Sequence, residues 1–151
     1  GGEPLVTAND EALARLAGIA DALLLHDRDV VARCDDSVVR RTVRGAPQFV
    51  RRARGYTPRP IRLAAPGPSV LATGGHLKNT VCITRGDEAF LSPHIGDLDN
   101  AATCRAFVAA IDHLCAVLDV RPEAVVHDLH PDFHSSRYAA EYAARRGVAR
   151  H

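Results

Sequence analysis

Apolar side chains recur at helical spacing from Leu13 through Leu16, Ala17, Ala20 and Leu23, which predicts an amphipathic helix near the start of the chain. Asn9 stands at the N-cap position, and Asp10 and Glu11 follow in the first turn, where acids suit the helix dipole. The run Leu23-Leu24-Leu25-His26 predicts a short buried strand, closed by Asp27-Arg28-Asp29. Ser37 to Val43 is strand-like and β-branched, Arg44-Gly45-Ala46-Pro47 is turn chemistry, and Gln48 to Arg54 reads as the returning strand of a hairpin. From Gly55 to Pro68 the pattern lapses. Four prolines at 58, 60, 66 and 68 predict a semi-rigid linker rather than a core element, with a domain boundary near residue 62.

Periodicity resumes at Ser69-Val70-Leu71-Ala72, a strand ending at Gly74-Gly75. Val81 to Thr84 and Ala89 to Ser92 flank Arg85-Gly86-Asp87-Glu88 and predict a second hairpin. Asn100 or Asp99 caps a long helix whose stripe is Cys104, Phe107, Val108, Ile111, Leu114, Cys115 and Leu118. Ala124 to His127 is the next strand, and Pro131 suits the first turn of a final helix ending near Gly147. The alternation predicts an α/β fold, incomplete on both sides of the linker.

Composition adds limits. The chain has 151 residues, 46% hydrophobic and 25% charged, as in a globular domain. A net charge of +1 gives bulk electrostatics no preference for nucleic acid, and no long apolar run predicts a membrane span. Cysteines at 34, 82, 104 and 115 form neither a zinc-knuckle spacing nor a disulfide framework, so a reduced, cytoplasmic setting is expected. Met is absent throughout, so the chain is expected to be a piece of a longer protein. Lys78 is the sole lysine beside many arginines.

Four segments could carry chemistry. His127 to His134 lies where a strand gives way to a helix, the usual place for ligands in open α/β sheets. Asp128 and His130 there suit proton transfer or ligand contact, or simply satisfy the turn. The Glu of an HExxH motif is missing. Gly74-Gly75-His76-Leu77-Lys78-Asn79-Thr80 follows a strand with paired glycines and one cation, which suits an anion, although it is not a Walker A loop. Arg33 and Ser37 flank Asp35-Asp36 and could grip a phosphate, or the acids could merely form a turn. Arg40, Arg41, Arg44, Arg51, Arg52, Arg54, Arg59 and Arg62 form a local basic cluster that could meet RNA or remain a solvated surface.

The order of these segments resembles a known family. LLLHDR, RCDDSVVR, RRARGYTPRPI, GGHLKNTVCITRGDEAFLSPHIGDLDN and HDLHPDF, in series, resemble the HypF hydrogenase-maturation carbamoyltransferases across essentially the whole chain. The resemblance implies that residues 1 to 62 end a YrdC-like domain that forms carbamoyl-adenylate from ATP, with carbamoyl phosphate as the carbamoyl source. Residues 63 to 151 would begin a TsaD-like, actin-type domain that passes the carbamoyl group to the C-terminal Cys of HypE, the source of hydrogenase cyanide ligands. It further implies Arg33, Ser37, Lys78 and Asn79 as nucleotide or phosphate contacts and Asp128 and His130 as catalytic residues. A divalent metal would be held mostly by an HHHAH motif expected beyond residue 151, so this stretch alone would be inactive and would hold no metal. The chain departs from the family pattern at His76, usually acidic, at Pro93, usually Gln, and at Phe133, usually Tyr. Competing readings are an O-carbamoyltransferase or threonylcarbamoyl-type enzyme, an RNA-binding module built on the Arg-rich hairpin in the YrdC-like part, and a metal domain built on His127, His130 and His134.

Overall fold

A computed structural model describes residues 6–28, 30, 31, 34–43, 45 and 47–151. The chain divides into two units, Gly1–Arg33 and Cys34–His151. In the first, α1 spans Asn9–Leu16 and carries the predicted acids in its first turn. Its cap is Ala8 rather than Asn9, whose side chain instead donates 2.6 Å to the His26 carbonyl. The helix stops earlier than predicted, because Gly18 takes a left-handed φ of +79°. The expected buried strand at Leu23–His26 is not formed. Leu24 is fully exposed, and the β-pairing among this unit's described residues is one isolated bridge between Ala17 and Ala20. A strand without a partner cannot satisfy its backbone, however apolar its side chains. Asp29, placed in the closing turn, lies outside the described residues.

The second unit opens with the predicted hairpin, shorter than expected. β1 (Val38–Arg41) pairs antiparallel with β2 (Pro47–Arg51), with a bulge between Val38 and Val39. Arg44 and Ala46 of the turn lie outside the described residues. Phe49 meets Tyr56 edge-on at 4.6 Å, and Ala53 is buried.

A five-stranded sheet follows: β3 (Ile61–Gly67), β4 (Val70–Ala72), β5 (Cys82–Leu91), β6 (Ala124–Val126) and β7 (Ala149–Arg150), in the order β3-β5-β4-β6-β7. β5 is antiparallel to β3 and β4, whereas β6 is parallel to β4 and β7. Two expectations are corrected together. The proline-rich segment is not all linker, since Ile61–Gly67 forms an edge strand. An edge tolerates Pro66 because one side of the strand needs no donor. Every residue of β3 is exposed, so it is indeed no core element. The second hairpin does not exist either, because Cys82–Leu91 is one strand. Gly86, at φ +58°, sits where the β3 pairing shifts register instead of reversing the chain. β3 supplies the partner for the far half of β5 that the hairpin reading lacked.

α2 (Ala101–Leu118) is capped as expected, with the Asn100 side chain accepting from Thr103 N at 2.9 Å. By length and composition it is apolar enough to cross a membrane. Its stripe nevertheless lies in the core, where Phe107, Ile111, Leu114 and Leu118 pack with Leu71, Val81, Ile83, Phe90 and Val125. Burial pushes the Cys82, Cys104 and Cys115 thiols up from their ordinary range, and Cys104 and Cys115 pack against the core as their place on the stripe requires. α3 (His134–Arg146) begins after the predicted Pro131, ends at Gly147 in the left-handed region, and closes the core with Tyr138, Ala139, Tyr142 and Ala143. β7, which then returns to the sheet, was not foreseen in the sequence.

Candidate active site

Parallel pairing of β4 with β6, in register Val70–Ala124 through Ala72–Val126, brings their carboxyl ends together. Thr73 N and Oγ1 both donate to the Val126 carbonyl, at 3.0 and 3.4 Å, and tie the two exits. The loops leaving them are Gly74–Thr80 and His127–Phe133, so two separate sequence candidates lie side by side at one end of the sheet. Gly75 lies beside Asp128; a Cβ on Gly75 would stand 3.9 Å from Asp128 Oδ2. A Cβ on Gly74, at φ +67°, would collide with the Thr80 carbonyl oxygen, so this turn closes only with glycine.

Asn79 holds the first loop. It is buried, and its Nδ2 donates to the Thr73 and Gly75 carbonyls at 2.9 and 2.6 Å. Its Oδ1 is buried without a partner among the described residues. The backbone of Asn79 bridges Gly96, and Leu98 N donates to the His76 carbonyl at 3.0 Å. The HIGDL segment thus clamps the loop from behind. Lys78 sits on the outside at φ +49°, an uncommon backbone for lysine, and its N–H donates to Asp97 Oδ1 at 2.7 Å. Its side chain is exposed and has no partner among the described residues.

In the second loop, Asp128 Oδ1 accepts from His130 N at 2.9 Å, and the Asp128 carbonyl accepts from Ser136 Oγ at 2.9 Å. Asp132 N donates to His130 Nδ1 at 3.3 Å. With Nδ1 an acceptor, the proton of neutral His130 is assigned to Nε2, on an exposed residue. Both His130 and His76 stack on Phe133, with ring centroids 4.2 and 5.1 Å apart. These two partners were missed as site residues. The available signal was that His76 and Phe133 are positions where the chain departs from the pattern it resembles.

Two phosphate contacts are expected in the first half, Arg33 and Ser37. Arg33 lies outside the described residues. Ser37 Oγ accepts from Ala53 N and donates to the Arg54 carbonyl, both at 2.9 Å, so it braces the hairpin base. None of its described bonds reaches the two loops. Within the arginine cluster, Arg51 pairs with Asp35 at 2.6 Å, Arg54 with Asp36 at 3.5 Å, and Arg62 with Asp87 and Glu88 at 2.8 and 3.5 Å. Acids of this chain therefore neutralise part of the patch.

Among the described residues, no group of three or more His, Cys, Asp or Glu side chains could hold a metal ion. His134 Nε2 is buried, and its ring packs edge-on against Phe107. The metal centre considered for His127, His130 and His134 is thus not assembled.

Residues 65–151 match the model of the HypF Kae1-like domain. The chain is 68% identical over 150 residues to carbamoyltransferase HypF2 of Cupriavidus necator, covering 98% of this chain and 19% of that protein. It is 60% identical to carbamoyltransferase HypF of Rhizobium leguminosarum bv. viciae, covering 92% of this chain and 18% of the relative. The chain thus spans about a fifth of the length of the curated relatives it matches. The crystal structure of full-length HypF in the phosphate- and nucleotide-bound form superposes with a TM-score of 0.87 at 42% identity, covering 99% of this chain and 23% of that one. With more than half of its residues matched, the chain belongs to the HypF Kae1-like domain family.

Proposed function

We propose that the chain is part of a HypF-type carbamoyltransferase of the cytoplasm, serving hydrogenase maturation. In this reading residues 1–62 complete a YrdC-like unit, where ATP and carbamoyl phosphate yield carbamoyl-adenylate. Residues 63–151 open a TsaD-like unit that passes the carbamoyl group to the C-terminal Cys of HypE. The observation that carries this reading is the meeting of the loop that bears Lys78 with the loop that bears Asp128 and His130, Gly75 lying beside Asp128 at the carboxyl ends of β4 and β6, in a chain of this family.

Transfer from carbamoyl-adenylate to a thiol forms a C–S bond and breaks the C–O bond to phosphate. AMP leaves with the bonding pair, and the thiol proton must be taken up. Lys78 offers a compact cation, without a partner among the described residues, for the departing phosphate. His130 Nε2–H is a donor for the carbamoyl oxygen as charge builds there. Asp128 Oδ2, which has no hydrogen-bond partner among the described residues, is the acceptor for the thiol proton. The divalent metal implied for such a domain does not fit the residues described in this chain, and no step is assigned to it.

The test uses a full-length HypF protein carrying this sequence, incubated with ATP, carbamoyl phosphate and HypE. Mass spectrometry is expected to find one carbamoyl group on the terminal Cys of HypE. Unmodified HypE under conditions where ATP is consumed would overturn the reading.

A further inference from the structure

We infer that Phe133 is the positioning residue of this site: its ring, stacked on His130 and on His76, couples the loop after β6 to the loop after β4. The inference rests on the function proposed above and deepens it. The two rings nearest Phe133 come from different loops, His130 at 4.2 Å and 8° and His76 at 5.1 Å and 22°.

Beside this stack, the His130 ring is held by one long hydrogen bond, from Asp132 N to Nδ1 at 3.3 Å. Asp128, Leu129 and His130 are all exposed, so the second loop has no apolar anchor of its own before Phe133. His76 is fixed through its carbonyl, which accepts from Leu98 N, but its Nδ1 is buried without a partner among the described residues. No hydrogen bond at that nitrogen orients the ring, and the Phe133 face does so instead. Phe133 is itself well founded. It is the N-cap of α3, and its carbonyl accepts from Arg137 N at 3.0 Å. α3 in turn is held by Tyr138, Ala139, Tyr142 and Ala143 in the core. The position of a core helix is thus passed to His130 directly and to the Lys78 loop through His76. Near-parallel aromatic stacks are favourable but shallow, so the contact orients rings more than it stabilises the fold. Phe133 touches no reacting atom in this account and acts only through its neighbours.

The experiment compares Phe133→Leu, Phe133→Tyr and His76→Ala in the full-length protein with HypE as acceptor. Loss of alignment in Phe133→Leu is expected to lower kcat for carbamoyl transfer roughly ten- to hundredfold, with KM for HypE changed less than about threefold. Phe133→Tyr keeps the stacking ring and is expected to restore kcat. His76→Ala removes one side of the stack without touching the helix cap, and kcat is expected to fall about tenfold. Separately, NMR of the imidazole protons is expected to show upfield shifts at His76 and His130 that Phe133→Leu abolishes and Phe133→Tyr retains. If wild-type protein transfers and Phe133→Leu keeps its kcat, the positioning role is overturned while the function stands. If wild-type protein does not transfer, the function fails, and unchanged imidazole shifts in Phe133→Leu would then overturn the coupling on their own.

Discussion

The hairpin segment, residues 34–59, and the sheet segment, residues 69–148, are held together by different forces. Among the described residues of the first, Ala53 is the buried hydrophobic one. Beside the Phe49–Tyr56 ring contact, the segment's described side-chain ties are polar: Ser37 to Ala53 and Arg54, Arg51 to Asp35, and the Arg54 guanidinium to the Cys34 carbonyl. The second is organised around a continuous apolar cluster from Leu71 to Ala143. Burial of apolar area is strong and insensitive to salt, whereas exposed polar ties are individually small and screened. The site follows the same division. Lys78, Asp128 and His130 lie in loops that leave strands rooted in the core, while Ser37 Oγ bonds within the hairpin.

The largest effect expected from breaking that contrast is Phe107→Ala. Phe107 is fully buried between α2, α3 and the sheet, and truncation of such a ring costs about 3–5 kcal/mol. Hydrogen exchange in full-length protein is expected to lose protection across residues 70–148 together and to leave 34–59 unchanged. Protection lost equally in both regions would mean that they unfold as one. Next comes Asn79→Ala, which strands the carbonyls of Thr73 and Gly75 and should cost about 2 kcal/mol, read as faster exchange confined to the loops after β4 and β6. Exchange left at the wild-type rate there would show that Asn79 is not the loop's clamp.

Ser37→Ala removes both of its hairpin bonds and should cost about 1 kcal/mol, seen only in exchange of the hairpin. A loss of nucleotide binding without faster exchange would instead support Ser37 as a phosphate contact. Arg51→Ala is the smallest. Its pair with Asp35 is partly exposed, so at most about 1 kcal/mol is expected, vanishing at high salt. A salt-independent effect would place that pair in a drier setting than its exposure indicates.

Legibility in the sequence followed the same line. α2 was readable because seven apolar positions repeat at helical spacing behind an Asn cap, and its burial then did what the pattern required. β5 was not, because Arg85-Gly86-Asp87-Glu88 carries turn chemistry, and the strand that keeps it straight lies in a segment whose prolines hide it. Leu23 to Leu25 misled through hydrophobicity alone, which says that a residue favours burial and nothing about whether a partner strand is at hand. In the site, Lys78 and Asn79 were marked by the paired glycines, and Asp128 and His130 by the strand end. The approach of their two loops depends on β4 pairing with β6 across more than fifty residues, which no local pattern encodes. The stack on Phe133 joins the same two distant loops and was hidden for the same reason.

The most direct test of the central claim, that these loops form a carbamoyl-transfer site with Lys78 on the phosphate, is Lys78→Ala in the full-length protein. The side chain is exposed and without a described partner, so exchange protection should match wild type. Carbamoyl transfer to HypE should fall roughly ten- to a hundredfold, as expected for one lost charge-assisted contact, and Lys78→Arg should not fully restore it. ATP–pyrophosphate exchange, which reports adenylate formation in the YrdC-like unit, should stay near wild type. Transfer at the wild-type rate in Lys78→Ala would contradict the account.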